Sequence, residues 1–345
     1  MQTRSETPAT IGGALRSAWR STALRVSVSA ALLVLLFRLL PLDDVWGALT
    51  GVGATLWLAA IAAYLSAHLL GVVKWRLLVN TAGAALPRMD AVRCYYLGLF
   101  GNTFLPSVVG GDLIRAGAAL RRVRSREALV LGSLVDRVQD MLALAAVAGI
   151  GALLLPTALD DRSRRVFGMF ALAGIAFGGI VLLALRLLPG RRFPLRFRRR
   201  LVRIRAAYRA LSRRPRALIG AVLLGMLLQL AMIALSAWLG SLVGLVVPFQ
   251  VWLFVWPLAK IAATVPLTQG GLGVREAALA ALFAPFGVEP ALAVTASLAF
   301  QFALISGGLT GGVLYVLMGR MRGATGTAAA PVMTPGSLTR PHARL

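Results

Sequence analysis

The chain is poor in the residues that most soluble catalytic chemistry relies on. Its 345 residues include one cysteine, Cys94, and two histidines, and 14% of them are charged. A soluble domain carries roughly 25% charged residues. A single cysteine excludes an intramolecular disulfide framework. His68, the histidine nearest Cys94, lies in an apolar run, which argues against a catalytic thiol. No nucleotide-binding motif and no zinc-ligand or metal-binding carboxylate cluster occurs: Asp160-Asp161 is followed by Arg162-Ser163-Arg164. The chain is therefore expected to use no cofactor or metal and not to be an enzyme. Acidic residues number 12 against 37 basic ones, giving a net charge of +25. Such a basic chain invites a nucleic-acid reading, but the arginines lie between hydrophobic runs and no base-stacking motif accompanies them. Lysine is nearly absent, with Lys74 and Lys260 alone.

What the sequence has is length of apolar run. Hydrophobic residues make up 58% of the chain, and its mean hydropathy is +0.79. Several runs approach or exceed the ~20 residues that cross a bilayer as a helix. The short alternating segments of a membrane β-barrel are absent from the sequence. The predicted spans are about 24–40, 48–73, 128–155, 166–188, 217–243 and 291–318. The first is read as retained because no clear cleavage site follows it. Lys74-Trp75-Arg76 reads as an interfacial anchor closing the second span, and Trp252 and Trp256 fit the same role. Residues 1–23 are expected to form a cytoplasmic tail, 24–318 the membrane domain, and 319–345 a disordered cytoplasmic tail.

A basic linker at 189–216 separates the two halves, and thirteen arginines fall between Arg186 and Arg216. Phe197, Leu201, Ile204, Tyr208 and Leu211 recur there at helical spacing, the pattern of an amphipathic helix on a membrane surface. Thirty of the 37 basic residues fall in segments assigned to one side, against Arg162, Arg164 and Arg165 on the other. The positive-inside rule then places both termini in the cytoplasm, in an inner membrane.

The most informative pattern occurs twice. Pro106, Gly110, Gly111 and Arg115 recur as Pro266, Gly270, Gly271 and Arg275, each set ending an apolar stretch. Pro and paired Gly break helices, and irregular backbone at membrane depth survives only beside protein or a water-filled cavity. Broken segments at matching positions in two halves point to a binding site at a repeat interface. The expected fold is an all-α polytopic membrane protein with about six transmembrane helices and two inverted re-entrant segments. The Pro and Gly residues would act as hinges.

Ionisable groups inside a membrane cost ~2.5–3.5 kcal/mol each on insertion scales and usually face a cavity. The candidates are Asn102, Asp112 and Arg115 in the first broken segment and Lys260, Gln269, Arg275 and Glu276 in the second. Asp136 and Arg137 in the next span complete the set. Lys260 lies ~16 Å into its segment at helical rise, near the middle of a bilayer. Arg115 and Arg275 stand just after Gly-Gly, where freed N–H groups and a helix dipole favour an anion such as phosphate. Asp136 and Asp140 are four apart, on one helical face. A relay and simple pairing with Arg137, Arg115 or Lys260 are both open. His68 reads as a satisfied or snorkelling side chain, and Gln229 and Gln301 as interhelical hydrogen-bond groups.

Leu99-Phe100-Gly101-Asn102-Thr103-Phe104-Leu105-Pro106 with Gly110-Gly111-Asp112 and Arg115, the Asp136-Arg137 pair, and Gln269 through Glu276 together resemble the lysylphosphatidylglycerol synthase transmembrane region, or flippase-like, family. The resemblance covers about residues 24–320. It implies broken helices lining a lipid cavity and movement of a lipid between leaflets, without the soluble aminoacyl-transferase domain of the two-part synthases. The partner would be a phosphate-bearing membrane lipid: an anionic or aminoacylated phospholipid, or a polyprenyl-phosphate-linked lipid. A separate lipid-synthesis enzyme is a further candidate partner. Two alternatives stand beside this: a membrane-embedded lipid-linked transferase with Asp112 or Asp136 as base, and an accessory subunit of an envelope-synthesis complex.

Overall fold

The structure, a computed structural model, describes residues 42–104, 110–155, 195–264 and 273–326. The expected spans at 24–40 and 166–188 lie outside the described residues, as do Pro106, Pro266, Gln269, Gly270 and Gly271. The described residues form helices α1 (Leu42–Gly51), α2 (Ala54–Thr81), α3 (Arg88–Phe104), α4 (Gly110–Ala119) and α5 (Arg126–Leu154). After the gap come α6 (Leu195–Ser212), α7 (Pro215–Leu242), α8 (Phe249–Thr264), α9 (Val274–Phe283) and α10 (Pro290–Gly326). No strand occurs among the described residues. Four helices, α2, α5, α7 and α10, are long and apolar enough to cross a membrane, and α8 is a shorter apolar helix. Leu58, Val130, Leu223 and Val313 stand exposed on these long helices, as the side chains of a chain solvated by lipid do. The protein is a multi-pass, membrane-embedded helical bundle.

Local chemistry sets the helix ends. The Ser125 hydroxyl accepts the Ala128 N–H at 3.2 Å and starts α5, a helix N-cap. Pro215 occupies the first turn of α7, where a missing N–H costs nothing. α2 and α7 end alike. Gly83 and Gly244 both take positive φ (102° and 95°), and the N–H groups of Ala84 and Leu245 bond back to the carbonyls of Val79 and Gly240. Glycine is the residue that takes this conformation without strain. Pro87 and Pro248 then immediately precede α3 and α8. The segments Gly83-x-x-x-Pro87 and Gly244-x-x-x-Pro248 thus form a second internal repeat, ahead of the Gly-Gly pairs.

Packing follows the repeat. α3 and α4 form a helical hairpin, with Gly98 and Gly101 of α3 set against Gly111 and Ile114 of α4. α8 and α9 form another, with Trp252 and Phe283 rings 4.9 Å apart. α2 and α7 lie antiparallel at the centre: Gly71 approaches Leu228, Lys74 approaches Gly225, and Leu77 approaches Gly220. The two hairpins therefore leave from opposite ends of the bundle. Each packs on the long helix of the other half, α3 against α10 and α8 against α5. The Arg124 N–H donates to Ala84 O at 2.9 Å, joining the chain's way into the first hairpin to its way out.

Several expectations change. The second span runs to Thr81 rather than ending near 73, so Lys74 and Trp75 lie within the helix and are buried, not at an interface. Trp252 and Trp256 are buried as well. Ala207 and Leu211 of α6 are covered by the bundle, Leu211 beside Leu78 and Ala221, so this part of the apolar stripe faces protein instead of lipid. The last helix continues to Gly326, past the boundary expected at 318.

Candidate functional site

A cavity of about 270 Å³ lies between the two halves. Every helix from α2 to α10 except α6 contributes to its wall. Six of the residues expected at a site line it: Asn102, Asp112, Arg115, Arg137, Lys260 and Arg275. Gly111 lines it too, because its lack of a side chain lets α4 close onto α3. A Cβ there would lie 2.2 Å from Gly98 O and 2.3 Å from Asn102 Oδ1. The Gly111 N–H instead donates to Asn102 Oδ1 at 2.9 Å. Gly110 stands beside it as the buried first residue of α4.

Asp136 and Glu276 are buried behind the wall, at 2% and 0% exposure, and each holds an arginine that lines the cavity. Arg115 Nη2 lies 3.0 Å from Asp136 Oδ2 and 3.1 Å from Asp112 Oδ1. Its guanidinium stacks over the rings of Trp75 and Tyr95, 4.5 and 4.9 Å from their centroids, a cation–π arrangement. Asp112 also contacts Arg137. Asp136 Oδ1 lies 2.9 Å from Lys74 Nζ, which reaches Asp140 on the same face of α5. The groups make one chain of alternating sign: Asp140, Lys74, Asp136, Arg115, Asp112, Arg137. In the second half, Glu276 accepts from Arg275 Nη2 at 2.7 Å, the Ser297 hydroxyl at 2.9 Å and the Gly273 N–H at 2.7 Å.

Lys260 differs from these. Its Nζ donates to Gln229 Oε1 at 2.9 Å, and it makes no ion pair among the described residues. Nearby on the same helix, Trp256 lines the cavity, and its buried Nε1, like Arg115 Nε and Arg137 Nε, has no hydrogen-bond partner among the described residues. Buried donors are seldom left unpaired. An ammonium without an ion pair among the described residues, in a wall that also carries guanidinium groups, suits an anion, and guanidinium groups suit phosphate oxygens in particular. Among the described residues no group of three His, Cys, Asp or Glu side chains is placed to hold a metal.

A profile of the lysylphosphatidylglycerol synthase TM region matches residues 22–311. The chain belongs to this family. Membership in the lysylphosphatidylglycerol synthase TM region family ties the protein to membrane lipid metabolism, and the cavity is its candidate site. No curated protein matches the chain.

Three residues of the cavity and its charge network stood outside the candidate set expected from sequence. Lys74 was assigned to an interface because the second span was ended too early, although it is one of only two lysines in an apolar chain. His68 lines the cavity, with Nδ1 3.4 Å from the Tyr95 hydroxyl, between the rings of Tyr64 and Tyr95. Gln229 makes the interhelical hydrogen bond expected of it, from α7 to Lys260 on α8, and also lines the cavity. Counted from Gly83 and Gly244, His68 and Gln229 occupy matching positions on α2 and α7, a signal the sequence contained.

Proposed function

We propose that the protein is a lipid translocase that binds a phosphate-bearing lipid headgroup in the central cavity and moves it between leaflets. The observation that carries this reading is Lys260, a cation with no carboxylate partner among the described residues, in the wall of a cavity that also carries Arg137 and Arg275. A lone charge at membrane depth is costly unless a ligand or water answers it. The α3–α4 and α8–α9 hairpins would be re-entrant from opposite faces, so that shifts of the hairpins would open the cavity to one leaflet and then the other. Their Pro and Gly residues, including Gly110 and Gly111, would be the hinges. The abundance of Arg on one side favours cytoplasmic termini in the inner membrane. Energy would come from a gradient, a downhill lipid difference or a partner.

The substrate would be an anionic or aminoacylated phospholipid, or a polyprenyl-phosphate lipid, bound at Lys260, Arg137 and Arg275. The transferase alternative has less support because Asp112 and Asp136, its candidate bases, each contact two cations. The test is movement of fluorescent phosphatidylglycerol, aminoacyl-phosphatidylglycerol and a polyprenyl-phosphate sugar in vesicles containing the purified protein. Lys260→Met is expected to slow transport at least about tenfold while leaving a folded protein, since it removes an interaction with the ligand and no internal ion pair. Folded wild type that moves none of the three lipids would sink the proposal and bring the accessory-subunit reading forward.

A further inference from the structure

Lys74 is absent from the cavity wall yet sits in the middle of its charges. It is 1% exposed, and its Nζ lies 2.9 Å from Asp136 and 2.5 Å from Asp140. Three cations, Lys74, Arg115 and Arg137, thus face three carboxylates, Asp112, Asp136 and Asp140, and every one of these carboxylates touches a cation. Arg275 and Glu276 cancel each other. Segments 105–109 and 265–272, which join α3 to α4 and α8 to α9 in sequence, contain no ionisable residue. With His68 neutral, the described groups of the cavity sum to the single positive charge of Lys260.

We infer that Lys74 is a positioning residue that sets the headgroup charge the site accepts, making it selective for a lipid phosphodiester monoanion over doubly charged phosphomonoesters and diphosphates. The inference rests on the translocase reading for the ligand being a lipid. Its physical basis is that charge interactions are strong in a medium of low polarity. A monoanion leaves the loaded cavity neutral, whereas a dianion leaves it negative. Without Lys74 the six-group chain carries a net negative charge, which cancels Lys260 and removes the attraction for any anion.

The test compares fluorescent phosphatidylglycerol with fluorescent phosphatidic acid at pH 7, where a phosphomonoester carries a charge of about −1.5 to −2. Binding is measured on detergent-purified protein, and translocation is measured separately in vesicles. Wild type is expected to prefer phosphatidylglycerol. Lys74→Met lowers binding of both lipids at least about tenfold, and Lys74→Arg leaves it nearly unchanged. Asp140→Asn raises the cavity charge by one and shifts the preference toward phosphatidic acid by roughly tenfold. Combining Lys74→Met with Asp140→Asn restores the charge and returns phosphatidylglycerol binding to within about threefold of wild type. A purely structural role for Lys74 predicts neither the shift in preference nor the rescue.

Failure of the folded double variant to recover, or an unchanged preference in Asp140→Asn, overturns the inference. Should Lys74→Met not fold, the Asp140→Asn preference still decides. Wild type that binds neither lipid overturns it as well. Wild type that binds with the expected preference but moves neither lipid overturns the translocase reading alone.

Discussion

Arg115 and Arg275 occupy equivalent places after the two Gly-Gly pairs, and their surroundings differ. Arg115 belongs to a six-member chain in which each carboxylate between its ends has two cations. Among the described residues Arg275 is the only cation paired with Glu276, in a set completed by Ser297 and the Gly273 N–H. On the α3 and α8 walls, Tyr95 matches Trp256, Leu99 matches Lys260 and Asn102 matches Ala263, counted from Gly83 and Gly244. One backbone plan thus carries a charge network in the first half and, in the second, a lysine without an ion pair among the described residues beside a single arginine–glutamate pair. The lesson is that an internal repeat duplicates shape first, and that function resides where the copies diverge.

The largest effect separating the halves is expected at the second arginine. Arg275→Leu strands a fully buried carboxylate, and breaking such a pair costs about 3–5 kcal/mol. Arg115→Leu leaves Asp136 with Lys74 and Asp112 with Arg137, so its loss is smaller. Unfolding midpoints of the two variants in detergent should rank in that order, and adding Glu276→Leu should recover most of the Arg275→Leu loss. Equal midpoints for the two single variants would erase the distinction between network and pair.

A smaller effect concerns the hairpins. Gly98 of α3 corresponds to Ala259 of α8, so the second hairpin already accommodates a methyl group where the first has none. A Cβ on Gly98 would lie 2.9 Å from Gly111 O and 3.0 Å from Arg115 Cβ. Gly98→Ala is expected to cost about 1–3 kcal/mol by overpacking, measured by the same unfolding. Stabilisation instead would mean that the first hairpin closes no more tightly than the second.

The smallest is Ser297→Ala. It removes the hydroxyl that accepts from Arg275 Nε at 3.0 Å and donates to Glu276, while the direct ion pair remains. A loss of about 1 kcal/mol follows from an ordinary buried hydrogen bond. A much larger loss would show that Ser297 is as essential to the second half as Asp136 is to the first.

Much of the frame was legible in the sequence. The spans at 128–155 and 217–243 agree closely with α5 and α7, because a long apolar run with a cap or proline at its start is a local property. The Gly-Gly-x-x-x-Arg repeat led directly to α4 and α9. Asp112, Arg115, Arg137, Lys260 and Arg275, which line the cavity, stand out in the sequence because charge inside an apolar run is costly. The second span failed at its end because Lys74, Trp75 and Arg76 look alike whether they leave the membrane or turn inward. The helix continuing to Thr81 distinguishes the two. The closing repeat, Gly83 to Pro87 against Gly244 to Pro248, was present and would have set the boundary.

The sequence by itself determined that this chain is a membrane-embedded helical protein with two related halves. Apolar length, helix breakers and their recurrence act along the chain and need no partner. Only the tertiary structure decided which charges cancel. Lys74 and Asp140 are 66 residues apart in sequence, and Lys260 and Gln229 are 31 apart. Neither spacing has any helical or motif signature. Electrostatic interaction depends on distance in space and on the medium between the groups. Which cation is left without an ion pair among the described residues was therefore decided when α2, α4, α5, α7 and α8 closed around one cavity.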